Sequence, residues 1–225
     1  MKHKIKHLIG KYGHIWTVSY IFIYMPWFFW LEQRTVPYTV VYSSLDKMIP
    51  FSEYFIIPYL LWFLYIPAVF IYFFFKSKEE FYNISKYMFI GMSIALLICT
   101  IWPNGQELRL DLNGHDNIFA KIVSWIYTTD TNTNVFPSIH VFNSIGAFVA
   151  IAKSQIIPKK HWVRYGAFIL TVLICMSTVM LKQHSILDVV GGIGLSIVMY
   201  ILVYGLDMVS ARRTKKVKKL PALLK

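Results

Sequence analysis

Asn134-Val135-Phe136-Pro137-Ser138-Ile139-His140 and Lys182-Gln183-His184-Ser185-Ile186-Leu187-Asp188 each set a histidine where a long apolar run begins. In the second stretch His184 and Asp188 are four residues apart, which on a helix gives them one face and about 6 Å of rise between them. A carboxylate so placed accepts the proton-bearing ring nitrogen of His184 and leaves the other nitrogen free. In the first stretch Pro137 suits the first turn of a helix, where its missing N–H costs nothing. The N–H groups that follow, with the Ser138 hydroxyl, form a place for an anion.

Outward from these stretches the chain is apolar. Of 225 residues, 56% are hydrophobic, 17% aromatic and only 15% charged, against about 25% charged in soluble domains. Six runs have near the ~20 residues that cross ~30 Å of hydrocarbon: 15–31, 55–75, 84–102, 137–157, 162–181 and 185–206. Backbone groups in lipid must be satisfied within their own segment, so each run is expected to be a helix. The expected fold class is therefore an all-α integral membrane protein, a six-transmembrane-helix bundle of one domain over 15–208. Basic tails at 1–14 and 209–225 flank it. The basic start lacks a small-residue cleavage site behind its apolar run and reads as a retained first span.

The net charge of +12 falls in loops and tails, so it reads as topology and not as nucleic-acid binding. Of the lysines and arginines, Arg34, Lys47, Arg109, Lys121 and Lys182 fall on one side of this bundle and the rest on the other. That places both termini in the cytoplasm and His140 and His184 at the extracytoplasmic face of a plasma membrane. Basic residues near the end, from Arg212 to Lys219, suit anionic lipid. Cys99 and Cys175 lie inside apolar runs and read as small buried hydrophobes. Two outer loops are long: 32–54, with Tyr38, Tyr42 and Asp46, suits the interface, and 103–136 reads as a polar lid.

Ionisable groups inside a bundle are costly unless paired, so Asp188 with His184 marks a functional site. Three readings fit the pair. One is a polar pin between helices. Another is a metal site with His140, for which His115 and Asp116 are the nearest further ligands. The third is phosphoryl transfer through a phosphohistidine, with no cofactor or metal needed. In it His184 attacks phosphorus, Asp188 orients it and His140 protonates the leaving oxygen, while Ser138 and nearby cations hold the phosphate.

The arrangement resembles the type 2 phosphatidic acid phosphatase family, relatives of vanadium haloperoxidases, whose pattern is KxxxxxxRP, PSGH and SRxxxxxHxxxD. Pro137–His140 reads PSIH, with Ile139 for glycine, and Ser177, His184 and Asp188 keep the third spacing. The resemblance implies His184 as nucleophile, Asp188 as its partner, His140 as acid and Ser138 as a phosphate ligand. It also implies a six-helix core with an outward site over roughly 46–206. Thr178 replaces the third-motif arginine. Arg109 takes the first-motif arginine, with Leu110 for proline and Trp102 for lysine, so Arg109 and Lys182 are the candidate phosphate-binding cations. The relaxed cations are similar to the inositolphosphorylceramide and sphingomyelin synthase branch, which passes a phospho-headgroup to an alcohol. The expected activity is hydrolysis of a membrane lipid phosphate or polyprenyl diphosphate. Headgroup transfer is the second reading and non-catalytic lipid binding or transport the third. Oligomeric state stays open.

Overall fold

The computed structural model describes residues 10, 12–114, 117–157 and 161–205. The tail cations beyond 205, most of the N-tail, and His115 and Asp116 lie outside the described residues.

Among the described residues the chain forms seven α-helices: α1 (Ile21–Gln33), α2 (Ile56–Lys76), α3 (Lys78–Ile101), α4 (Ile118–Thr129), α5 (Ile139–Lys153), α6 (His161–Met180) and α7 (Ile186–Tyr200). A 3₁₀ segment Gly13–Tyr20 leads into α1, and a π turn Ile201–Gly205 extends α7. Four stretches are long and apolar enough to cross a membrane: Glu53–Lys76, Lys78–Ile101, His161–Met180 and Ile186–Gly205. The first expected span divides instead into its 3₁₀ part and a 13-residue α1.

The fourth expected span, 137–157, is cut at both ends. Ser138 caps α5 and leaves Pro137 outside the helix, where the sequence reading had placed it in the first turn. At the other end Ser154 leaves the helix and donates to the Glu80 carboxylate at 2.5 Å. The remaining 15 residues rise about 22 Å, short of a ~30 Å bilayer core. α5 is nonetheless the centre of the bundle and packs against α2, α3, α6 and α7. Its Phe142 stacks on Tyr87 with centroids 5.1 Å apart. A Cβ at Gly91 would lie 2.0 Å from the Phe142 ring, so glycine there lets α3 approach α5.

The loop expected at 103–136 contains α4, an amphipathic helix that buries Ala120, Val123 and Ile126 at three-residue spacing. It is held beside α2 through a cluster that includes Ile56, Tyr59 and Leu181. Two short parallel strands, β1 (Thr39–Val40) and β2 (Asn104–Gly105), tie the segment before α2 to the one after α3. Asn104 is bonded to the stretch that leads into PSIH: its carbonyl accepts from Asn134 N–H at 2.7 Å and its Oδ1 from Phe136 N–H at 2.8 Å.

Candidate active site

Both motif histidines stand at helix starts, and the starts are joined. His140 is the second residue of α5, after the Ser138 cap. His184 immediately precedes Ser185, the cap of α7. The Ser138 N–H donates to the Asp188 carbonyl at 3.0 Å. At Gly192 a Cβ would come within 2.8 Å of the Ser138 carbonyl, so only glycine allows this approach of α5 to α7. The consequence is that the His140 and His184 rings lie 5.7 Å apart, centroid to centroid, and edge to face.

His184 and Asp188 meet across a helix cap and not along a helix face. Ser185 and Asp188 form a capping box in which the Ser185 N–H donates to Asp188 Oδ2 at 2.9 Å. The same oxygen lies 3.3 Å from His184 Nδ1, at the long end for a hydrogen bond. Asp188 is fully buried and His184 8% exposed, so the pair is shielded from bulk water. Asp188 Oδ1 and His140 Nδ1 are buried polar atoms with no protein partner, which in a folded protein calls for an explanation. The His140 ring packs on Tyr59 and Trp62, at 4.9 and 4.5 Å between centroids.

The expected phosphate ligands are occupied within the protein. Ser138 Oγ accepts from the Val141 N–H at 3.5 Å, as the cap of α5. Lys182 has φ +54° and is buried at 8% exposure. Its Nζ donates to the carbonyls of Asp46 at 2.8 Å and Ile49 at 2.5 Å. Burial lowers its pKa, an effect that the Asp46 charge opposes. Arg109 donates to the carbonyls of Tyr127 and Asp130, both at 2.8 Å, and of Thr131 at 2.7 Å. A fourth bond, to Gln183 Oε1 at 2.7 Å, brings it next to His184. Trp102, at the position of the missing lysine, donates to Thr39 Oγ1 at 3.0 Å. Thr178 donates its hydroxyl to Cys175, and its carbonyl accepts both Gln183 N–H and His184 N–H at 3.0 Å.

Three acidic residues near the site were not singled out in sequence as site residues. Glu32 accepts from Thr131 Oγ1 at 2.6 Å and from Asn134 Nδ2 at 2.9 Å. Burial, then Glu32, push the Asp130 carboxyl above the usual range, against opposing effects of His184, Arg109 and the Tyr59 hydroxyl. Asp46 caps α7 from the first outer loop, with Oδ2 2.6 Å from Ser185 Oγ and Oδ1 2.8 Å from Ile186 N. The Ser43–Asp46 capping-box spacing marks a local turn and gives no sign of the contact with α7.

No curated protein and no solved structure gives a match to the chain. Residues 115–210, which carry Ser138, His140, His184 and Asp188 but stop short of Arg109, match the family model of the PAP2 superfamily, and this similarity suggests phosphatase or phosphotransferase chemistry.

Proposed function

We propose that this membrane protein hydrolyses a lipid phosphate, or a polyprenyl diphosphate, at the outer leaflet through a phosphohistidine on His184. The observation that carries this reading is the 3.3 Å contact of His184 Nδ1 with a buried carboxylate, with the His140 ring 5.7 Å away. With Nδ1–H directed at Asp188, Nε2 keeps its lone pair and attacks phosphorus. An N–P bond forms as the P–O bond to the leaving group breaks, and His140 gives its proton to the leaving oxygen. Water then attacks the phosphohistidine, His140 takes a proton from it, and the N–P bond breaks. The amide end of α5 and the Ser138 hydroxyl offset the developing charge. No step calls for a metal ion. With both termini cytoplasmic, the site opens on the extracytoplasmic side.

Transfer of a phospho-headgroup to a lipid or polyol alcohol is the second reading. It is favoured by the engagement of Lys182 and Arg109 with carbonyl oxygens, which leaves fewer cations for a doubly charged monoester. A phosphodiester carries one negative charge and needs less compensation.

The test is phosphate release by the purified protein in detergent with EDTA present. Phosphatidate, phosphatidylglycerophosphate and undecaprenyl diphosphate serve as substrates, beside His184→Ala. Release that survives EDTA and is lost in the variant is expected. Release undiminished in the variant overturns the phosphohistidine reading, and a wild type that neither releases phosphate nor transfers a headgroup leaves lipid binding or transport. Headgroup transfer that starts only when an acceptor alcohol such as diacylglycerol is added selects the transferase.

A further inference from the structure

Asp46 lies far from the site in sequence and in direct contact with it in space. It sits in a 3₁₀ turn, Ser44–Lys47, and is buried at 2% exposure. Three protein donors converge on its carboxylate: the Ser43 N–H at 2.8 Å, the Ser185 hydroxyl at 2.6 Å and the Ile186 N–H at 2.8 Å. Its main-chain carbonyl accepts from Lys182 Nζ at 2.8 Å, and Ile49 O takes the same ammonium at 2.5 Å. The turn around residue 46 therefore grips the chain on both sides of His184, at Lys182 before it and at Ser185 and Ile186 after it.

The grip reaches the histidine through Ser185. The Ser185 hydroxyl donates to Asp46 while accepting from Leu187 N–H at 3.2 Å, so both its roles are committed. The Ser185 N–H donates to the Asp188 oxygen that faces His184 Nδ1. A neutral cap would satisfy a helix start nearly as well, since Asn, Ser and Asp are close equivalents there. A buried carboxylate adds a charge whose desolvation must be offset by hydrogen bonds and the α7 amide end. What it adds is a stiffer hold on the turn, because hydrogen bonds to an ionised acceptor are shorter and stronger than neutral ones.

We propose that Asp46 is a positioning residue: by holding Ser185 and Ile186 it fixes the His184 ring against Asp188 and toward His140. The inference rests on the phosphohistidine reading for its effect on rate, and on geometry alone for its effect on the turn. Misplacing a reacting group by about 1 Å costs on the order of 10²-fold in rate.

The experiment compares wild type, Asp46→Ala, Asp46→Asn and His184→Ala, with steady-state phosphate release from phosphatidate per folded molecule. Amide hydrogen exchange of the 182–190 peptide is followed in the same preparations. Asp46→Ala is expected to lower kcat by about 10- to 100-fold with KM within about twofold, and to speed exchange in 182–190 while α3 and α5 keep their protection. Asp46→Asn, which keeps one acceptor for Ile186 N–H, should fall between, and it serves alone if the alanine variant does not fold. A merely structural Asp46 would lower yield and Tm at unchanged kcat per folded molecule, and that result overturns the proposal. If wild type releases no phosphate, the hydrolase reading fails by itself. The exchange comparison then decides the clamp, and unchanged exchange in 182–190 overturns it.

Discussion

The amide of Ser138 donates to the carbonyl of Asp188 at 3.0 Å, so the cap of α5 is bonded to the first turn of α7. Each partner belongs to one of the two histidine motifs, which are separated by more than forty residues of chain. Side chains set locally by their caps are thereby set relative to each other, and the 5.7 Å ring separation follows from a backbone bond. Ser138 and Asp188 are both fully buried, so water does not compete for this bond.

Gly192 permits that junction. A Cβ there would lie 2.8 Å from the Ser138 carbonyl and 3.0 Å from the Val141 Cβ. Gly192→Ala is therefore expected to force α5 and α7 apart, at about 1–3 kcal/mol. Phosphate release should fall much further than stability, because both motifs move. Thermal unfolding and kcat measured on the same preparation check this, and wild-type kcat in Gly192→Ala would refute the coupling.

Asp188 Oδ2 serves two donors, the Ser185 amide at 2.9 Å and His184 Nδ1 at 3.3 Å. Asp188→Asn replaces one acceptor with a donor and removes the charge that favours the Nδ1–H tautomer. A fall in kcat on the order of 10²–10⁴-fold is expected, the scale on which an orienting carboxylate acts behind a histidine. KM should hardly move, since no substrate contact is lost. A variant with wild-type kcat would remove Asp188 from the mechanism.

Arg109 is bonded to three carbonyls and to the Gln183 side chain, and its guanidinium lies 5.0 Å from the Tyr127 ring centroid. A lysine cannot span that fork. Arg109→Lys should lower stability by about 2 kcal/mol or more, since hydrogen bonds to a charged donor contribute ~1.5–3 kcal/mol each. A falling Tm with little change in KM is the signature of this structural role. The opposite pattern, a raised KM at unchanged Tm, would make Arg109 a substrate ligand.

Arg109 also shows where sequence ceases to be informative. The PSIH and HSILD stretches are legible because capping, spacing and the His–Asp pair are local properties, acting over three or four residues. Four apolar helices are legible for the same reason. Whether a cation meets a ligand or a carbonyl is decided by partners elsewhere in the chain: Lys182 is bonded to Asp46 and Ile49, more than 130 residues away. Asp46 and Glu32 stand in loop or helix-end sequence whose patterning says nothing of the contact. α4 was legible in principle, through Ala120, Val123 and Ile126, but the polar residues around it dominate the composition of 103–136.

The acidic groups around His184 give the site a pH signature. Burial, reinforced by Glu32, holds the Asp130 carboxyl above the usual carboxylate range in the folded protein. A raised folded value means that folding favours the protonated form. The stability this contributes is complete below the unfolded value, and it is lost as pH rises through the raised value. Asp130→Asn stays neutral throughout, so at pH 7.5 it should unfold at a higher temperature than wild type. The gap should close as the pH drops below the usual carboxylate range, where both chains are uncharged at this position. Unfolding followed from about pH 2.5 to pH 8, a range that runs below the ordinary aspartate value, tests the sign as well as the size. A variant less stable than wild type at pH 7.5 would mean that the charges of His184 and Arg109 and the bond from Tyr59 outweigh the burial of the charge.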